Sequence, residues 1–280
     1  MRYTTLEKLL EMNTLHTFLV DAAGVLYTNA GTVPGSNKAV EAMKSRGNVF
    51  VLTNNTTLYV NELSQKLATH NIHIQPSHII SSGLGLKYDN QINALIKNKA
   101  AYVFGRSGSE NYVVDAGCSK IVDDVAKAEV VVILSTKKEN NEQAVEDLIQ
   151  TLKANPPIPL ICGNPDFYIM GIDGKRIPVI GYYCQKISEA LNQPIHWVGK
   201  PKDNFTAVVG DLLMNQFNIK LDKGVCFFDD NCENLMKISR FLKISNCCVH
   251  ETGLSQDIDF NKEELTLDQL PDFIIPQLSM

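Results

Sequence analysis

The chain has 280 residues, a formal charge of −5, 44% hydrophobic residues and 20% charged residues. These values suit a globular protein with material for one large domain or two modest ones, and the negative balance offers no attraction to nucleic acid or anionic lipid. Lys/Arg blocks with interleaved aromatics are lacking, which argues against a nucleic-acid module, and no apolar run approaches the roughly 20 residues needed to span a bilayer.

In chain order, MRYTTLEKLLEMNTLHTFLV lacks a signal-peptide apolar core and reads as a short amphipathic helix leading into a strand. The segment FLVDAAGVLYT then delivers Asp21 to a strand end, with Gly24 permitting the sharp turn that follows. A carboxylate there can attack phosphorus or carbon and form a covalent intermediate; an Asp at a strand end also caps turns. NKAVEAMKSRG carries apolar residues at helical spacing and a stop signal. VFVLTNNTT ends a strand in Thr53, Asn54 and Asn55, whose hydroxyl, amides and following helix N-terminus can cradle an anionic oxygen or serve as an N-cap. A second helical pattern, VNELSQKLATHN, follows.

Residues 86–190 have their own strand signals, AYVFG, VVVILS and PLICG, punctuated by Pro-rich ANPPIP and Gly-rich MGIDGKRIP. Within them GNPDFY places Asn164 and Asp166 in a turn. Tyr168, Met170, Arg176 and Tyr183 are substrate-contact candidates by proximity to it. WVGKPKDNF holds Lys200 between a Gly and a Pro, a fixed backbone from which the side chain projects. GVCFFDDNCENLM ends a strand in Asp229 and Asp230, with Glu233 one turn on. Two strands that bring carboxylates to one edge can share a divalent cation, and hard oxygen ligands favour Mg²⁺; the bland alternative is acids complementing a helix N-terminus. The seven cysteines form no C-x-x-C pair and suit reduced, buried thiols in a cytoplasm.

Strand-like runs at 17–26, 48–54, 101–105, 129–135, 158–162, 224–229 and 244–250 alternate with helical stretches. The expectation is an α/β fold: a Rossmann-like parallel core from residues 1–85 and 191–280, with 86–190 as an inserted α/β cap. Right-handed crossovers put all strand C-termini on one edge, where ligands bind.

Taken in order, DAAGVLYT, VPGSNKAVEAMKSRG, VLTNNT, HIISSG, GNPDFY, GKP and FFDD resemble the haloacid dehalogenase superfamily nearly end to end. The similarity is to the branch with a large α/β cap, which includes 4-nitrophenyl, pyridoxal and nucleotide or sugar phosphatases. The resemblance implies that Asp21 is the nucleophile and that Thr53, with the backbone after it, binds phosphoryl. It also implies that Lys200 neutralises charge, and that Mg²⁺ is held by Asp21, Asp229 and the backbone carbonyl of Ala23. Asn164 and Asp166 would face a small-molecule phosphate or related anion from the cap, and caps of this kind often mediate dimer contacts.

Two positions depart from the family pattern. Its phosphatases carry an Asp two residues after the nucleophile to protonate the leaving oxygen and later activate water; here Ala23 stands there. Such general acid–base help is typically worth about 10²–10⁴-fold. Asn234 replaces an acid that often follows the metal-binding Asp. The reading is a Mg²⁺-dependent phosphatase that is weak or atypical, or that takes an acid from the cap. The alternatives are a non-catalytic ligand binder or a related hydrolysis such as dehalogenation.

Overall fold

The computed structural model describes residues 2–136, 141–260 and 270–280. It is an α/β protein built on two parallel sheets. The larger has seven strands in the order Arg2–Tyr3, Phe273–Ile275, Ser245–Val249, Val225–Asp229, Thr17–Val20, Asn48–Thr53 and Ile79–Ser81, all parallel. The central strands are apolar on both faces, as a parallel sheet covered by helices on each side requires. Leu19, Phe50, Leu52 and Phe227 enter one cluster of buried residues. Phe18, Val20, Val51 and Phe228 enter the other, against Ala39, Val40 and Met43 of helix Ser36–Lys44 and Leu63 and Leu67 of helix Val60–Thr69. Those two helices are the ones that the apolar spacing predicts.

The smaller sheet has five parallel strands in the order His196–Trp197, Leu160–Cys162, Val130–Ile133, Ala100–Phe104 and Lys120–Val122. Its own core includes Val131, Ile133, Val145, Leu148, Ile180 and Cys184. The Gly-rich segment after GNPD is the turn of an antiparallel hairpin, Tyr168–Met170 with Arg176–Pro178. The strands that periodicity does not announce, such as Lys120–Val122, His196–Trp197 and Phe273–Ile275, are two or three residues long. That is too short for an alternation to register.

Register decides what meets at the sheet edge. Val20 pairs with Phe228 on one side and Val51 on the other, so Asp21, Asp229 and the Leu52–Thr53 end emerge side by side. The predicted 17–26 run stops as strand at Val20 because the chain turns there, with Gly24 at φ +90°. Hydrogen bonds join the two sheets' loops around this edge: Thr56 to the Leu134 carbonyl, Ser82 Oγ to the Gly163 carbonyl at 2.6 Å, and Asn29 Nδ2 to the Met170 carbonyl at 2.6 Å. Among the described residues no helix is long and apolar enough to cross a membrane.

Candidate active site

A cavity of about 220 Å³ opens where the strand ends of the larger sheet face the smaller unit. Asp21, Ala23, Thr53, Asn54, Asn55, Lys200, Asp229 and Asp230 line it from below, and Asn164, Asp166, Tyr168, Ile169 and Met170 from the other side. At its floor the Lys200 ammonium, 2% exposed, lies 2.8 Å from Asp21 Oδ1 and 2.7 Å from Asp229 Oδ2. Desolvation alone would lower the ammonium's pKa, but the two carboxylates outweigh it and hold it above the usual lysine value.

The acid groups are placed by backbone. Asp21 N–H donates to the Phe228 carbonyl at 2.8 Å, continuing the ladder one residue past the strand. Asp229 Oδ1 accepts the Asn231 N–H at 2.7 Å, and Asn231 Oδ1 in turn caps helix Cys232–Leu242 through the Glu233 and Asn234 N–H groups. Asp230 is buried between two glycines: an added Cβ would sit 2.6 Å from its carboxyl carbon at Gly24 and 1.8 Å from its Oδ2 at Gly253. Leu254 N–H donates to that Oδ2 at 2.7 Å.

Carboxylate oxygens of Asp21, Asp229 and Asp230 all lie within 4.8 Å of one another. Burial, reinforced by the neighbouring carboxylates, pushes both Asp229 and Asp230 above the ordinary carboxylate range. One ammonium thus faces three buried carboxylates, a set of hard oxygen donors short of positive charge. That is what a divalent cation would satisfy.

Asn54 organises the upper rim. Its Oδ1 accepts the Lys200 N–H at 2.7 Å, while Nδ2 donates to the Lys200 carbonyl at 2.9 Å and to Asp166 Oδ1 at 2.8 Å. Gly199, at φ +123°, permits this approach, since a Cβ there would lie 2.7 Å from Asn54 Oδ1. Thr53 Oγ1 accepts the Asn55 N–H at 3.2 Å, and Asn55 Oδ1 accepts the Thr57 N–H at 2.9 Å. Asn164 Oδ1 accepts the Asp166 N–H at 2.9 Å, which closes the GNPD turn. Of these amide side chains, that of Asn54 is wholly engaged in holding protein, and those of Asn55 and Asn164 brace their own turns.

Ala23 is exposed to the same cavity, so its methyl stands where room exists for a larger side chain. Several sequence candidates fall elsewhere. Tyr183 is buried in the smaller unit's own core, because its helix turns that face inward, and Arg176 projects from the exposed outer arm of the hairpin. Glu233 lies on the outer face of its helix and pairs with Lys237 at 2.7 Å, away from the carboxylate cluster. Tyr168 and Met170 do line the cavity. Asp230, named from the sequence as a strand-end acid beside Asp229, joins the carboxylate cluster, and the Thr252–Leu254 loop is the participant that the sequence does not reveal, since it carries no periodic signal.

A family model described as haloacid dehalogenase-like hydrolase matches residues 18–119. The chain is similar to the dihydroxyacetone phosphatase of Corynebacterium glutamicum (strain R), 29% identical over 186 residues, 66% of this chain and 64% of that protein. That match therefore spans just under two thirds of the relative's own length. Similarity to the acid sugar phosphatase of Staphylococcus haemolyticus is 25% over 209 residues, 74% of each chain. Among solved structures, a protein of Cytophaga hutchinsonii described as a possible sugar phosphatase of the same superfamily aligns with TM-score 0.83 at 19% identity, over 100% of this chain and 99% of that one. The 4-nitrophenylphosphatase of Thermotoga maritima aligns with TM-score 0.75 at 18% identity over 96% of both chains.

Proposed function

Because this chain is a haloacid dehalogenase-like hydrolase, we propose that it is a phosphatase of small phosphorylated metabolites, sugar or triose phosphates among them, working through an aspartyl-phosphate on Asp21. The observation that carries this reading is Asp21 held against a buried ammonium at the floor of a cavity, beside two further buried carboxylates. The relatives' names point the same way, toward dihydroxyacetone phosphate and sugar phosphates.

Phosphoryl transfer asks for in-line placement and charge neutralisation more than for elaborate covalent chemistry. Lys200 pairs with Asp21 and stands ready to offset the charge that a phosphate dianion brings into its reach. Asn54 fixes Lys200 by its main chain, so the ammonium's position does not depend on the side chain alone. Thr53 and the backbone after it border the cavity where phosphoryl oxygens would lie. The smaller unit serves as the cap that closes over the rest of the substrate. The carboxylate set Asp21, Asp229 and Asp230, with the Ala23 carbonyl, would hold Mg²⁺, which supplies Lewis-acid neutralisation of the phosphoryl group.

The test is phosphate release from 4-nitrophenyl phosphate and from triose and sugar phosphates, with and without Mg²⁺. Release that needs Mg²⁺ and is lost in Asp21→Asn supports the reading. Ala23 favours one rival, a ligand binder that does not turn over. No release from any ester of the panel, combined with thermal stabilisation by the same esters, would replace the phosphatase with that binder.

A further inference from the structure

Resting on the phosphatase reading, we infer that Asp166, from the GNPD turn of the smaller unit, is the general acid and base of this chain, in the role that Ala23 leaves empty. In-line displacement by Asp21 sends the leaving oxygen away from the larger sheet, toward the wall formed by the smaller unit. Asp166 stands in that wall, lining the same cavity as Asp21 and Ala23. Its turn is closed by a local hydrogen bond, Asn164 Oδ1 accepting its N–H at 2.9 Å.

The carboxyl is also aimed. Asn54 Nδ2 donates to its Oδ1 at 2.8 Å, and the same amide carries Lys200, whose ammonium touches Asp21 at 2.8 Å. Asp166 is thereby registered to the nucleophile through two residues. Asn54 is the hydrogen-bond partner of its carboxyl among the described residues, and it engages one oxygen. Asp166 differs in this from Asp229 and Asp230, which both belong to the carboxylate cluster below. Desolvation holds its carboxyl up at about 6, with Asp21 adding to the rise and Lys200 and Asn54 opposing it. A group that keeps a proton to within about a unit of neutrality suits both donation and recovery.

The step balances as follows. As Asp21 Oδ bonds to phosphorus and the phosphorus–oxygen bond of the ester breaks, the Asp166 carboxyl gives its proton to the departing alkoxide, which leaves as the alcohol. The Asp166 carboxylate then takes a proton from the water that attacks the aspartyl-phosphate. Phosphate departs, and both carboxyl groups return to their starting states.

Leaving-group dependence tests this, because a 4-nitrophenolate departs with little protonation and an alkoxide does not. The Asp166→Asn variant keeps an oxygen for the Asn54 hydrogen bond and replaces the acidic O–H with an amide N–H₂ that serves as neither acid nor base. With Mg²⁺ present, kcat should fall about 10²–10⁴-fold on an alkyl phosphate such as glycerol phosphate, and by a much smaller factor on 4-nitrophenyl phosphate. Adding Ala23→Asp to Asp166→Asn should restore the alkyl-to-aryl ratio, since a carboxyl again faces the leaving oxygen. Should Asp166→Asn not fold, aryl and alkyl esters of graded leaving-group basicity on the wild type decide, a shallow dependence of rate supporting a protonated departure. Equal losses on both esters, or a steep wild-type dependence, would overturn Asp166 as the acid while leaving a phosphatase. Absence of any Mg²⁺-dependent release by the wild type would instead remove the phosphatase reading on which this rests.

Discussion

Asn54 grips the main chain of Lys200 on both sides of its Cα, Oδ1 accepting the N–H at 2.7 Å and Nδ2 donating to the carbonyl at 2.9 Å, across 146 positions of sequence. The end of one core strand thus fixes the loop that carries the charge-neutralising ammonium. Asn54→Ala leaves two buried backbone groups without partners, each costing about 1–3 kcal/mol. The variant should lose at least about 2 kcal/mol in urea unfolding and at least about tenfold in kcat, as Lys200 loses its register. A variant of unchanged stability would show that water replaces the amide without cost.

Gly199 is the local condition for that grip. Its φ of +123° disfavours a side chain, and a Cβ would lie 2.6 Å from Pro165 Cδ and 2.7 Å from Asn54 Oδ1. Gly199→Ala should cost about 1–3 kcal/mol and lower turnover with it. The urea midpoint and kcat measured on one preparation check both.

Ala23 is the position where substitution adds a carboxyl rather than removes one. It is exposed to the cavity, so Ala23→Asp meets open space. Because Asp166 already protonates the leaving oxygen in this account, Ala23→Asp alone should change phosphate release from alkyl esters little, and should raise it by up to about 10²–10⁴-fold only in the Asp166→Asn background. A rise of that size on the wild type would show that no acid serves there and would contradict the role assigned to Asp166.

Asp166 also makes a prediction about stability. Its folded pKa of about 6 lies above the ordinary 3.8, so the folded state holds its proton longer than the unfolded chain does. Stability therefore falls as pH rises from about 4 to about 6, and the whole cost of the charged form is present above that range. Asp166→Asn should unfold later than wild type at pH 7.5, and the advantage should shrink toward pH 4. A difference in Tm that is the same at both pH values would contradict the assignment of cost to ionisation.

Much of this site is legible in the sequence, and what is missing has a common cause. Asp21, Thr53 and Asp229 announce themselves because apolar runs end in them, and parallel strands deliver their C-termini to one edge. Lys200 is legible only beside the other three, since the strand before it, His196–Trp197, is too short to carry periodicity. The packing of Asp230 between Gly24 and Gly253, the double hold of Asn54 on Lys200, and the burial of Tyr183 away from the cavity are all contacts between segments far apart in sequence. No local pattern encodes them. Asn164 illustrates the reverse case: the turn reading, side chain to backbone, describes its hydrogen bond to Asp166.

Covalent trapping tests the central claim most directly. Wild type, loaded with Mg²⁺ and a phosphate ester and quenched in acid during turnover, should yield a phosphoryl group on the peptide bearing Asp21, and Asp21→Asn should yield none. Turnover that persists with no phosphorylated peptide, or with the phosphoryl group on a different residue, would contradict an Asp21 nucleophile.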